Sequence, residues 1–546
     1  MDTSFRSSDE YSRTVAAIAA AVGKGDLRHA YELSNWAIGR GLEGRVIYNA
    51  RALAYQASGR FNEAIIDFRH ALKYSPNDAV IHAAIGTTYA ALGDYPEAIR
   101  AFDFALAQNP AESAVHVRRA KALVSNDQYD LADSAFERAI DLAPNNVEAL
   151  SDLASLKARR GQYDRAKILA DKALAISPGN PVAHYALALV ETNHKQYAEV
   201  EQRLRFLVFH RDLDIQTRGG MCSLLGDALD AQGRRSEAFE TYMRGNQFLR
   251  SENLSTFRDA RSSEAVQHMT KYFETTAPER WKPAKPTAVT AQRPAKHVFL
   301  LGFMRSGTTL LEQVLASNEK VVALEEKITL NPISEAYMTS NQGLDSLADI
   351  HGPELDAAVA GYWERVHEYT QNIEGKVLVD KQPLNTLRMP IIAKLFPEAK
   401  ILFAIRDPRD VVFSCYRRPF RVNTTMYEFL DLEDAARMYA SVMHLAKLYR
   451  EKLTLNLMEH YYEDMVTDFE PRVRAVCDFI GLEWSDSMRD FNKNAPQINI
   501  NSPSANQVRR PLYGEGIGYW RNYAEQLQPM MPILKPWVEA YGYSVE

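Results

Sequence analysis

A proline recurs every 34 residues, at Pro76, Pro110, Pro144 and Pro178. Gly59 and Gly93 keep the same spacing, with Gly25 and Gly161 in phase, and so do the aromatics Phe61, Tyr95, Tyr129, Tyr163 and Tyr197. Ala30, Ala64, Ala98, Ala132 and Ala166 follow the same period. Such a stretch does not fold around one central core, because each unit buries its apolar face only against the next. Within Ala79–Glu112 the order Gly86, Tyr89, Ala98, Phe102, Ala105, Pro110 describes two helices joined by a turn. Gly86 and Ala98 let the helices approach, Tyr89 and Phe102 fill the seam, and the proline stops each second helix.

The pattern resembles the tetratricopeptide repeat, whose unit is a helix–turn–helix of this length. About six or seven units fit between Tyr11 and Arg250. The first (Gly25, Leu27, Ala30) is degenerate and the last, near Gly233–Ala238, is out of phase, as units that cap a stack are. The resemblance implies an all-α solenoid over residues 11–250. Its concave face would bind an acceptor protein, peptide or glycan, or serve as a scaffold or homodimer surface. From Ser251 the phase is lost, and Pro278–Pro294 carries four prolines among alanines and lysines. Residues 251–296 therefore read as an extended linker ahead of a second domain, 297–546.

Composition excludes several classes. A net charge of −6 over 546 residues gives no support to nucleic-acid binding. Cys222, Cys415 and Cys477 lie far apart without C-x-x-C spacing, so neither a zinc site nor a disulfide framework is expected. No run of about 18 apolar residues occurs and the first residues lack the basic-then-apolar order of a leader, so no membrane span and a cytoplasmic location are expected.

The chemistry of the second domain begins at His297–Leu311. The apolar run Val298–Leu301 is broken by Gly302, and a helical pattern starts at Thr308. Gly302, Gly307 and Thr309 fit the phosphate-loop spacing, with Thr308 where its lysine belongs. A strand, a glycine-punctuated loop and a helix aim backbone N–H groups at an anion. Without the lysine, a standard ATP or GTP hydrolase is disfavoured. Further apolar runs end in charge: Val321–Leu324 in Glu325 and Glu326, Lys376–Val379 in Asp380 and Lys381, Lys400–Ile405 in Arg406. A fifth run, Thr454–Met458, leads to Tyr461 and Tyr462. Helical patterns separate most of them, the mark of a parallel sheet whose ligand sits beyond the strands' carboxyl ends.

These residues resemble the sulfotransferases that use 3′-phosphoadenosine 5′-phosphosulfate. Arg305-Ser306-Gly307-Thr308-Thr309-Leu310 matches their 5′-phosphosulfate loop. Arg406 and Ser414, within Arg406-Asp407-Pro408-Arg409-Asp410-Val411-Val412-Phe413-Ser414, match their 3′-phosphate motif. Tyr461-Tyr462-Glu463-Asp464-Met465 looks like their Y-Y-E-D-M segment, with Tyr462 by the adenine. Arg509-Arg510 and Gly518-Tyr519-Trp520-Arg521 resemble the C-terminal R-K-G…G-D-W-K segment, whose basic pair holds the 3′-phosphate. Among subfamilies the likeness is to tyrosylprotein sulfotransferases. Glu326 falls at their catalytic base, Lys381 at a sulfate-contacting lysine, and Ser504-Ala505-Asn506-Gln507-Val508 resembles their S-T-D-Q-V. Ile328 stands where that subfamily has a substrate-contacting arginine and Tyr519 where it has the aspartate of G-D-W, which leaves the acceptor open.

The resemblance implies a three-layer, P-loop-like α/β domain that moves a sulfuryl group to a hydroxyl or amine. Loop N–H groups, Arg305 and Lys381 would neutralise the developing charge, and Glu326 would take the acceptor's proton. No metal is expected. The rivals are a nucleotide-dependent kinase, disfavoured by Thr308 and the Arg406–Ser414 motif, and a nucleotide-holding scaffold, disfavoured by Glu326 and Lys381.

Overall fold

The computed structural model describes residues 3–210, 213–257, 261–284, 293–418, 420–494 and 514–545. The chain divides into two compact units, Met1–Asn193 and His194–Glu546.

The first unit is a succession of helical hairpins, among them Arg45–Ala57 with Phe61–Tyr74, Ala79–Leu92 with Tyr95–Gln108, and Ser113–Ser125 with Tyr129–Leu142. The 34-residue period is one of backbone conformation. Gly25, Gly59, Gly93 and Gly161 turn between paired helices at φ of 73°, 75°, 81° and 76°, and Asp127 takes the same left-handed position at 58° where the phase lacks a glycine. Gly86 is needed for a different reason, since a Cβ there would stand 2.7 Å from the Phe102 ring. Residues including Gln56, Ala83, Thr87, Asn109 and Arg118 line a groove of about 320 Å³ in this unit.

The second unit is built on five parallel strands: β1 (Lys296–Gly302), β2 (Val321–Glu325), β3 (Val377–Lys381), β4 (Lys400–Ile405) and β5 (Leu457–Tyr461), in the order β2-β3-β1-β4-β5. Alternate residues of a strand face opposite ways. Val298 and Leu300 join Val377, Val379 and Leu402 in a core with helices Thr308–Ala316 and Phe469–Ile480. Phe299 packs on the other face against Tyr362 and Phe396. Burial on both faces explains why the strands read as continuous apolar runs. β1 lies between β3 and β4, so the chain reverses direction across the sheet there, where open α/β sheets place ligands. β5 begins later than the apolar run at Thr454 suggests, because its first ladder partner is Leu457, opposite Ile401.

Two expected boundaries move. The segment read as a linker over 251–296 contains helix Ser262–Thr275, with Val266, Met269 and Phe273 buried, and Trp281 is buried after it. Phe273 meets Tyr449 of helix Leu432–Lys452 edge to face at 4.7 Å. Loss of the repeat phase had no bearing on this helix, whose apolar residues have their own helical spacing. The repeat domain expected over 11–250 also ends differently. Helices Ile215–Ala231 and Arg235–Glu252 belong to the second unit. Asn246, Ser223 and Gln216 donate to the carbonyls of Tyr416, Arg417 and Phe420 at 2.8, 2.9 and 2.9 Å, and Arg250 pairs with Asp431. Polar side chains on an apparent repeat, not its periodicity, set its allegiance.

Candidate functional site

The loop after β1 is shaped by three left-handed residues. Gly302 has φ of 149°, and a Cβ there would stand 2.6 Å from the Ala404 carbonyl of neighbouring β4. Arg305 follows at 67° and Gly307 at 91°, the latter capping helix Thr308–Ala316. A Cβ on Gly307 would stand 2.5 Å from the ring of Tyr462. The first N–H groups of a helix have no partner within it, so the loop presents donors. Ser306, Thr308 and Thr309 are buried beneath it.

Arg305 is the hub on the β4 side. Its Nε donates to Ser414 Oγ at 3.0 Å, from the loop to helix Pro408–Tyr416. Arg406, just past β4, donates to the carbonyls of Arg305 and Gly516 at 3.2 and 2.5 Å and lies 4.6 Å from the centre of the Tyr462 ring. Its sequence neighbours are engaged elsewhere. Asp407 is gripped by the Arg409 guanidinium at 2.9 and 2.8 Å, and Asp410 accepts from the N–H groups of Gly518 and Trp520 at 2.7 and 2.8 Å. Asp410 also lies 4.0 Å from Arg406, a long ion pair that is largely buried. Burial pushes the Arg305 guanidinium down to about 10, with Arg418, Arg406 and Arg417 adding like-charge repulsion. Of these, Arg418 is paired with Asp227, and the cluster as a whole makes this end of the rim cationic. Arg417 and Arg418 escaped the sequence reading, although their place just after the helix of Ser414 is itself a signal.

On the β2–β3 side, Lys381 Nζ donates to Glu326 Oε1 at 2.9 Å and stands 3.2 Å from Glu312 Oε2. Lys381 and Glu312 are fully buried, while the Glu326 side chain is 40% exposed. Burial opposes the Lys381 charge, but Glu312 and Glu326 more than offset it and raise its pKa. Burial likewise holds the Glu312 carboxyl well above the usual carboxylate range. Glu326 is itself left-handed, with φ of 34° and its N–H bonded to the Lys381 carbonyl at 2.8 Å. No helix opens at Lys327; the next is Asn331–Tyr337. Of four non-glycine residues with positive φ among those described, two are Arg305 and Glu326. Strain of this kind, about 1–3 kcal/mol each, persists where surrounding structure imposes it. Glu312 was missed as well, though a lone acid inside Leu310-Leu311-Glu312-Gln313-Val314-Leu315 is a readable sign.

The five strand ends thus gather Arg305, Ser306, Gly307, Thr308, Thr309, Arg406, Ser414 and Tyr462 around one rim, with Glu326 and Lys381 at its β2–β3 end. Ser504, Arg509 and Arg510 lie outside the described residues. The half-buried guanidiniums of Arg305 and Arg406 beside Tyr462 could hold an anionic ligand.

Residues 297–486 match the family model described as sulfotransferase family, and residues 55–122 and 117–181 match tetratricopeptide-repeat models. A chain of Aquifex aeolicus (strain VF5), described as an uncharacterized protein, is 26% identical over 352 residues, 63% of this chain. The match spans 45% of that relative, less than half its length. Protein-tyrosine sulfotransferase 2 of Gallus gallus is 24% identical over 262 residues, 45% of this chain and 69% of that protein. A crystallised tetratricopeptide-repeat protein from Parabacteroides merdae is 19% identical with a TM-score of 0.36, over 44% of this chain and 93% of that one.

Proposed function

The chain carries tetratricopeptide repeats ahead of a sulfotransferase domain, and from that premise we propose that it moves a sulfuryl group from 3′-phosphoadenosine 5′-phosphosulfate to an acceptor recruited by the repeats. One observation carries the donor reading: Arg305 joins Ser414 at 3.0 Å while Arg406, beside Tyr462, hydrogen-bonds carbonyls. That arrangement suits an adenosine bearing a 3′-phosphate at one end and a phosphosulfate at the loop. Arg509, Arg510 and Ser504 would complete the nucleotide's contacts.

In the transfer, the bond from sulfur to the bridging phosphate oxygen breaks and its electron pair stays on adenosine 3′,5′-bisphosphate. The acceptor's oxygen or nitrogen bonds to sulfur and its proton passes to Glu326. Loop N–H groups, Arg305 and Lys381 meet the charge that gathers on the oxygens. The relatives named protein-tyrosine sulfotransferases make a peptide tyrosine one acceptor to test. Ile328, half-exposed beside Glu326, offers an apolar lip in place of a cation, so other hydroxyls or amines on a protein, peptide or glycan belong in the same screen.

Titration calorimetry tests the donor. Adenosine 3′,5′-bisphosphate should bind more tightly than AMP or ATP without Mg²⁺, and Arg406→Ala should cost roughly 1.5–3 kcal/mol of that affinity. ATP with Mg²⁺ as the tighter ligand overturns the reading in favour of a kinase.

A further inference from the structure

Arg406 is aimed by backbone. Among the described residues its hydrogen-bond acceptors are the carbonyls of Arg305 and Gly516, so the position of Gly516 matters to the guanidinium. The approach is close: a Cβ on Gly516 would stand 3.1 Å from Arg406 Nη2 and 3.5 Å from the Tyr462 hydroxyl. Gly516 lies in a strap, residues 514–523, made of a turn that leads into the short 3-10 helix Tyr519–Tyr523. Two carboxylates pin that strap. Asp410 takes the N–H groups of Gly518 and Trp520 at 2.7 and 2.8 Å. Asp230, at the end of helix Ile215–Ala231, accepts the Tyr519 hydroxyl on Oδ2 and the Tyr523 hydroxyl on Oδ1, the latter at 2.6 Å.

The helical pair that supplies Asp230 also grips the helix carrying Ser414. Asn246 and Ser223 donate to the carbonyls of Tyr416 and Arg417, at its end, and Asp227 pairs with Arg418. Phe239 packs on Phe413, Tyr416 and Tyr523 at 6.5, 5.8 and 6.3 Å. The pair that looks like the last repeat therefore touches both halves of the 3′-phosphate apparatus. It also explains a departure in the sequence: the tyrosine at 519 has its hydroxyl partner in Asp230, nearly three hundred residues upstream.

We propose that Asp230 is a positioning residue for the nucleotide, which by holding Tyr519 and Tyr523 fixes the strap whose Gly516 carbonyl orients Arg406 toward the 3′-phosphate. The proposal rests on the donor reading above. Functional groups tolerate only about half an ångström of misplacement, so releasing one end of the strap should register at Arg406 before it registers in the fold. Burial raises the Asp230 carboxyl, with the Tyr523 hydroxyl bond and the Arg417 and Arg235 charges acting against that rise and Asp227 adding to it.

The test compares two ligands on the full chain, adenosine 3′,5′-bisphosphate and adenosine 5′-monophosphate, by calorimetry. Tyr519→Phe, Asp230→Asn and Asp230→Ala are measured beside the unaltered protein, with thermal midpoints recorded. The bisphosphate should weaken about tenfold in Asp230→Ala and less in the other two, while the monophosphate changes little, so that the preference for the 3′-phosphate shrinks in that order. Equal weakening of both ligands, or an unchanged preference in all three variants, overturns the proposal and leaves Asp230 a structural residue. Tyr519→Phe removes one hydroxyl and keeps the ring, so the comparison stands even where Asp230→Ala does not fold. Should the unaltered protein itself show no preference for the bisphosphate, the donor reading fails first.

Discussion

Lys381, the last residue of β3, donates to Glu326, the residue after β2, across 2.9 Å. Both come from neighbouring strands held in parallel register, Glu325 opposite Lys381. The pair joins the candidate base to the cation that would meet the sulfuryl group. Glu326→Gln keeps the shape and removes the basicity. It should lower kcat by about 10²- to 10⁴-fold and leave bisphosphate affinity nearly intact. Glu325→Gln should do much less. Initial rates with labelled donor, beside calorimetry, check this; equal losses in the two variants would point to another base.

Glu312 should reveal itself in the pH profile. It leads the groups that raise the Lys381 pKa against the cost of burial. In Glu312→Gln that support goes and the ammonium's pKa falls. The alkaline limb of kcat/KM should then move to lower pH by roughly one unit or more. A limb that stays put would mean that Lys381 keeps its charge without Glu312.

His460, on β5, gives stability a pH dependence of known sign. Its imidazole is buried with no hydrogen-bond partner for Nε2 among the described residues, and burial, aided by Arg472, pushes it down to about 4. The folded chain keeps it neutral while the unfolded chain protonates it near pH 6.5. Its stabilising contribution is full above that value and is lost as pH falls from 6.5 toward 4. The unfolding free energy of the unaltered protein, relative to that of His460→Leu, should therefore fall by about 2 kcal/mol between pH 7 and pH 5. Urea denaturation at the two pH values measures it; a constant gap would contradict the neutral, buried imidazole.

Truncation should separate the two units. A chain starting at His194 retains the helical pair that grips Tyr416 and the helix that packs on Tyr449, and should bind the bisphosphate as the full chain does. It should lose kcat/KM on a large natural acceptor but not on a small surrogate, since the repeats act by raising local concentration. A chain starting at Lys285 lacks Asp230, Asn246 and Phe273, and should bind the bisphosphate poorly or fail to fold. Undiminished kcat/KM on the large acceptor in the His194 chain would rule out delivery by the repeats.

Much of the fold is legible in the sequence. The 34-residue period marks a backbone turn, so it survives in residues as unlike as Gly93 and Asp127. The β1 loop and the charged residues past the other strands follow from local rules: glycine where φ is positive, apolar runs where both sheet faces are covered, polar residues where a strand meets solvent. The sequence by itself determined the repeat, the parallel sheet and a rim bearing Arg305, Glu326, Lys381 and Arg406. Only the tertiary structure decided which of these meet, because register across β2, β3, β1 and β4 brings together residues far apart in the chain. It also decided that Glu312 lies behind Lys381 and that helices Ile215–Ala231 and Ser262–Thr275 belong with the sheet rather than with a repeat or a linker. The reason is physical. Periodicity reports how a segment buries its own face, whereas allegiance is set by single partners, such as Asp230 for Tyr519 and Phe273 for Tyr449, which no local pattern encodes.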